Sequence, residues 1–288
     1  AHCRVVQGTV REVKAEHTPT YTTAKERQGI QAINVKSCPI CRKKCGTLFV
    51  VYCTFFIFVR KVIYLKKITA DFAVSTTLVI MNQKKEILEK LAFIRRHKEF
   101  ASFGVKEQEV SYNPCLSEED IKEFEHKHCI TLPDDYRTFI SEIGNGGFGP
   151  GYGLLPLDKA IVDFKLKDKP NISLNEKFPY QDSWNEEWIT SFNWDEGYPE
   201  TEIVDAYIST SHIAGSLQIS HFGHGCTFLL VVNGNEKGHI WFDGRADYSG
   251  LVPKLKDGQR ISFIEWYITF LDMEIENINE SLTNSTTA

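Results

Sequence analysis

Methionine is scarce in this chain: only Met81 and Met273 occur in 288 residues. Long apolar runs are missing as well. The longest, "LFVVYCTFFIFV" at 48–59, is closed by Arg60 and Lys61 and falls short of the about 20 residues a spanning helix needs. It also lies too far from the first residue to be an ordinary signal-peptide core. No membrane partner is therefore expected. Cysteine is thin after residue 80, where only Cys115, Cys129 and Cys226 remain of eight. Three isolated thiols make no disulfide framework and suit a reducing, cytoplasmic setting. No G-x-S-x-G elbow or other nucleophile signature is present, so no catalytic residue is expected.

What is present is unevenly distributed. Residues 1–80 hold 13 basic and 4 acidic residues, whereas the rest holds 20 basic and 34 acidic ones, and all five Trp. Two segments so different are not expected to share a core. The boundary falls at Met81. The expectation is that 81–288 is one unit starting naturally at its own methionine. Residues 1–80 are then a non-native or disordered extension.

Within 81–288 the pattern is helices, then strands, then a helix. "KKEILEKLAFIRRHKEF" places Ile87, Leu88, Leu91 and Ile94 at helical spacing. "LSEEDIKEFEHKH" predicts a second helix, capped by Ser117, with acids at 118–120 at its positive end. A third opens at Pro133, carries Tyr136, Phe139, Ile140 and Ile143 on one face, and stops at Gly144-Asn145-Gly146. "GLLPL", "SLQIS", "CTFLLVV" and "GHIWFD" read as strands, the last two joined by the hairpin signal "NGNEKG". "SFIEWYITFL" begins with a capping box, Ser262 and Glu265. The tail "NESLTNSTTA" reads as frayed. The class expected is α+β.

The glycines of "GNGGFG", 144–149, have the spacing of a phosphate loop. A dinucleotide fingerprint needs a strand before them and a helix N-terminus after them. Here a helix precedes and a strand-like run follows, so the glycines sit at the negative end of a helix and are read as a cap and a turn.

Metal ligation is weighed at two places. "HFGHGC" offers His221, His224 and Cys226, with spacing that suits a tight turn between strands better than zinc. "CPICRKKC" offers Cys38, Cys41 and Cys45, with Cys53 a possible fourth, as half of a zinc knuckle. Neither completes a site, so no metal and no cofactor are expected. Glu186 with Glu187, or Asp243 with Asp247, reads as solvated surface rather than as a catalytic pair.

The richest stretch is "DSWNEEWITSFNWDEGYPETE", 182–202, with seven carboxylates, three Trp and no Lys or Arg. Carboxylates steer a basic partner while Trp supplies desolvated anchors. The residues expected to bind a partner are Asp182, Trp184, Glu186, Glu187, Trp188, Trp194, Asp195, Glu196, Glu200 and Glu202.

Three blocks in order carry a resemblance. "LSEEDIKEFEHKHCITLPDDYRTFISEIGNGGFG" resembles the opening motif of the SUKH superfamily, which includes fungal cell-wall glucan-synthesis regulators and bacterial immunity proteins. "SLQISHFGHGCTFLLVVNGNEKGHIWFD" and "RISFIEWYITFLD" are similar to its central strands and closing helix. The match spans about 117–272. It implies an α+β fold with a mixed, twisted sheet flanked by helices. It also implies a non-catalytic, cytoplasmic immunity-type role, in which the protein binds and neutralises a toxin domain, such as a nuclease. The alternatives are a regulatory scaffold binding host proteins, as in the fungal members, and, less favoured, a metal-dependent hydrolase at His221–Cys226. A basic toxin domain is the partner implied, and no nucleic acid.

Overall fold

The computed structural model describes residues 82–163, 172–197 and 199–286. The expectations for residues 1–80 and for Met81, including the zinc half-site and the apolar run, lie outside the described residues.

Residues 82–96 form helix α1. Ile87, Leu91 and Ile94 are buried, while Leu88, expected on the same face, is exposed. After a short 3-10 turn (Lys98–Phe100) and α2 (Phe103–Lys106) come α3 (Glu118–His128) and α4 (Asp134–Glu142). Ser117 caps α3 in a complete capping box with Asp120. Its other end is closed by Cys129, in the left-handed region at φ 54°. Arg137 of α4 reaches back to Glu118 at 2.6 Å and holds that carboxyl down to about 2. Tyr136, Phe139 and Ile140 form the buried face of α4, as the spacing predicts.

The glycine motif does what its context suggests. Helix α4 ends before it, and Gly147 forms single antiparallel bridges with Tyr112 on one side and Leu154 on the other. Gly146, at φ +80°, passes so close to the backbone of Leu154–Pro156 that an added Cβ would sit 2.7 Å from the Pro156 nitrogen. No side chain fits there. "GLLPL", expected as a strand, is reduced to the bridge residue Leu154, because Pro156 interrupts any longer ladder.

The sheet is β1 (Ser216–Gly223), β2 (Cys226–Val231), β3 (Ile240–Asp243) and β4 (Leu251–Pro253), in that order. The α+β class is as expected. The resemblance implied a mixed sheet, whereas every pairing among these strands is antiparallel, because each is joined to the next by a short connection. His224-Gly225 turns β1 into β2 with φ 49° and 81°, the two positive values that a tight hairpin needs. A separate ribbon pairs β5 (Leu255–Lys256) with β6 (Gln259–Arg260).

Residues facing one another across an antiparallel pair share a side of the sheet. Phe228, Phe242 and Val252 therefore lie on one face, and Leu229, Trp241 and Pro253 on the other. The first face is covered by α7 (Phe263–Thr286), whose Trp266 ring lies 5.0 Å from Phe228. The second is covered by the Ile172–Trp184 segment, with Phe178 at 4.9 Å from Trp241. The box of Ser262 and Glu265 opens α7, and Asp135 accepts from the Ile264 N–H. The helix continues to Thr286, through most of the tail read as frayed. Thr283 Oγ1 donates to the Asn279 carbonyl, and Leu282 packs against the core.

Tyr267 couples α7 to the glycine turn. Its hydroxyl donates to the Phe148 carbonyl at 2.9 Å and meets the Tyr112 hydroxyl, in a site where the ring is fully buried. Tyr267→Phe leaves two buried polar partners unsatisfied and is expected to cost about 1–3 kcal/mol, measured by urea unfolding. A loss below about 0.5 kcal/mol would show that water replaces the hydroxyl.

Candidate functional site

The acidic aromatic stretch runs beside the β4 edge of the sheet. Trp184 exchanges both backbone hydrogen bonds with Leu251, at 2.9 and 2.8 Å, and so adds a one-residue strand. Gly250 makes this approach possible: its φ is +78°, and a Cβ would lie 2.2 Å from the Trp184 carbonyl oxygen. Beyond Trp184 the chain forms α5 (Glu187–Ser191), a 3-10 turn (Trp194–Glu196) and α6 (Thr201–Tyr207).

The three Trp side chains belong to one aromatic array. Trp184 stacks between Tyr180 at 4.9 Å and Tyr207 at 5.5 Å. Tyr207 stacks on Tyr248 at 5.9 Å, and Trp194 leans on the same ring at 4.7 Å. Trp188 meets Tyr207 and Tyr248 edge-on. Trp184 and Trp188 are half-buried, and Trp194 is 42% exposed. The stretch is thus neither wholly core nor a loose loop. Its rings run from the sheet to the surface.

Carboxylates edge this array. Glu186 and Glu202 line a shallow pocket of about 340 Å³, with Trp188, Ile203, Ala206 and Tyr207 as its walls. Glu187, Asp195 and Glu200 are exposed. Glu196 ends the 3-10 turn. Asp182 stands apart, with its side chain 99% exposed and 3.8 Å from Arg260. Several of these acids occupy the first turn or cap of α5 or α6, where the positive end of the helix favours them.

The array is anchored by Arg245 and His212 from outside the stretch and by Asn185 within it. Arg245 is completely buried and grips Asp243 with two bonds of 2.9 Å. Its Nη1 donates to the carbonyls of Tyr207 and Ser209, at 3.3 and 2.8 Å. Asn185 ties Tyr207 and Tyr248 together: it accepts from the Tyr207 hydroxyl and donates to the Tyr248 carbonyl. His212 stacks on Trp184 at 4.3 Å. Its Nε2 faces the Ala206 carbonyl, which can only accept. Nε2 therefore carries the proton and Nδ1 accepts from Tyr180. Burial and the Arg245 charge both hold the His212 pKa below its ordinary 6.5, against weaker upward pulls from the Ala206 carbonyl, Glu186 and Asp243. Burial pushes Tyr180 up to about 12.

Other weighed residues are not brought together as sites. His221 lies in β1, His224 is exposed in the hairpin turn and Cys226 is buried at the start of β2. Among the described residues no cluster of three or more His, Cys, Asp or Glu could hold a metal. Asp243 is committed to Arg245, and Asp247 accepts from Ser249, so they form no carboxylate pair.

Two measurements test this anchoring. Arg245→Leu strands the Asp243 charge inside the protein and is expected to lose about 3–5 kcal/mol, with Trp emission shifting to the red as the array opens. Replacing Asp243 and Arg245 together by Leu should lose clearly less, since no unpaired charge is left. The second concerns pH. Unfolded, His212 takes up its proton near 6.5; folded, it does so only at lower pH. The stability it contributes is present above 6.5 and is lost as pH falls through the folded value. Stability should therefore decline from pH 7 to 5, with a shallower slope in His212→Gln. The residual slope comes in part from His128, which burial also depresses.

Among the described residues no helix is long and apolar enough to cross a membrane. No curated protein and no solved structure matches the chain. Residues 115–257 match the SMI1 / KNR4 family (SUKH-1), a membership that fits a non-catalytic, protein-binding role. The matched segment contains α3, α4, the whole four-stranded sheet and the acidic aromatic array, so residues 115–257 are a SUKH-1 domain.

Proposed function

We propose that this protein is an immunity-type binder that neutralises a basic toxin domain, such as a nuclease, in the cytoplasm. The partner surface is the acidic aromatic array: Trp184, Trp188 and Trp194 with Glu186, Glu187, Asp195, Glu196, Glu200, Glu202 and Asp182. The observation that carries this reading is the pocket of Glu186 and Glu202 over Trp188 and Tyr207. Two carboxylates beside aromatic faces suit a guanidinium or ammonium, which gains both ion pairing and attraction to the ring quadrupole.

The surrounding charge supports the same partner. No Lys or Arg occurs from 182 to 202, so the local field is negative and attracts a basic surface from a distance. Such steering raises association rates and is screened by salt. Half-buried Trp rings add apolar contact area that is already ordered, so little side-chain entropy is lost on docking. Blocking requires only that the bound toxin be covered, and no reactive group is needed.

The neighbouring gene supplies the partner to test: a large secreted protein with a variable C-terminal domain is expected there. Full-length protein should bind that domain and suppress its activity. Reversing Glu186, Glu187, Asp195 and Glu202 to Lys should slow association at least about tenfold at low salt and flatten its salt dependence. An unchanged association rate overturns this face. Undiminished toxin activity in the presence of the wild-type protein overturns the immunity role.

A further inference from the structure

We propose that the groove between α7, the glycine turn and the β5–β6 ribbon is a second docking surface, which takes an extended protein segment bearing bulky apolar side chains next to carboxylates. It is independent of the acidic array. The groove starts from the Phe228 face of the sheet, whereas the array continues the Trp241 face.

Three observations define the occupant. The first is apolar exposure. Tyr152 (73%), Phe222 (57%), Met273 (58%) and Leu255 (49%) are four of the eight exposed large hydrophobic residues among the described residues, and all four line this groove. Apolar exposure collected in one place marks an interaction site more often than scattered exposure does. Beneath them lies a packed floor, with Phe228 against Trp266 at 5.0 Å and Phe148 against Phe270 at 5.6 Å.

The second is size. The cavity measures about 1070 Å³, at the upper limit of the about 300–1,000 Å³ typical of small-molecule sites. It is lined from five separate parts of the chain rather than enclosed by one. That shape suits a length of polypeptide, whose side chains alternate into successive subsites. The wall is already formed: the Gln108 amide donates to the carbonyls of Gly149 and Gly151 and accepts from the Gly149 N–H. Little ordering cost is left for binding.

The third is charge. Residues 81–288 carry 34 acids against 20 bases, yet Lys254 and Lys256 stand together on the β5 wall. Neither has a salt-bridge partner among the described residues, and Lys254 Nζ lies 6.0 Å above the Phe228 ring. Glu274, a buried acid of the lining, is committed to the N–H and hydroxyl of Ser102. Glu107 and Glu109 also line the groove. The bound segment is thereby oriented, with carboxylates over the lysines and apolar side chains along the floor.

A random-peptide display library, selected on the full-length protein and counter-selected on the Lys254→Glu/Lys256→Glu/Phe222→Ser variant, tests this. All three side chains are at least partly exposed, so the fold should be retained, as circular dichroism can verify. Enriched peptides should combine aromatic or aliphatic residues with Asp or Glu. A synthetic copy should bind wild type at least about tenfold more tightly than the variant, and equally well to the Glu186→Lys/Glu187→Lys protein, which separates this surface from the acidic array. Enrichment of basic peptides, or of none, overturns the proposal. So does affinity unchanged by the triple substitution. Concentration-dependent dimerisation that Phe222→Ser abolishes would instead assign the groove to a second copy of the chain.

Discussion

A single buried ion pair governs where the surface chemistry of this protein sits. Arg245 and Asp243 are both fully buried, and removing an isolated charge from water is among the costliest steps in folding. The cost is offset because four of the five guanidinium N–H groups find an acceptor. Two bonds go to the carboxylate and two to main-chain carbonyls at 207 and 209. Lysine has no planar fork and would not satisfy this geometry. The pair is local in sequence, two residues apart. Its consequence is long-range, because it fixes a segment more than thirty residues away against the sheet.

From that fixed segment the rest follows by packing. Tyr207 is held in place, Trp184 and Tyr248 both stack on it, and Trp188 and Trp194 lean on the result. A surface that is both acidic and aromatic would ordinarily be mobile, since like charges repel and short helices such as α5 are marginal alone. Here the repelling carboxylates ride on rings anchored to the sheet. A partner meeting this face would find its anchors already ordered, which lowers the entropy lost on binding.

Much of this was legible in the sequence and some was not, for identifiable reasons. Ser117 with Asp120, and Ser262 with Glu265, announce their helices because caps are local, and both form. The β1–β2 and β2–β3 connections are local too. What escaped depends on contacts between distant residues. "DGRAD" around Arg245 looks like an ordinary charged turn, and nothing near it says that two charges are buried. The aromatic stretch shows its Trp residues, but not Tyr207, His212 and Tyr248, which order them from outside. Leu88 fits the apolar period of α1 and is nonetheless exposed, because periodicity marks a stripe without saying how wide a face the neighbours cover. The groove was invisible for the same reason, since Tyr152, Phe222, Leu255 and Met273 lie on four different elements.

The antiparallel sheet explains why two surfaces of different character coexist. Its strands send alternate residues to opposite faces, so one short strand, β3, contributes Trp241 to one side and Phe242 to the other. Trp241 leads through Phe178 and Tyr180 to the acidic array. Phe242 leads through Phe228 to Trp266 and the lysine-edged groove. Should the proposed acidic face and the lysine-edged groove each take a partner, the two would not compete for the same side of the sheet. The sheet keeps them apart while linking them through the same four strands, so a change that loosens β3 would be felt on both sides.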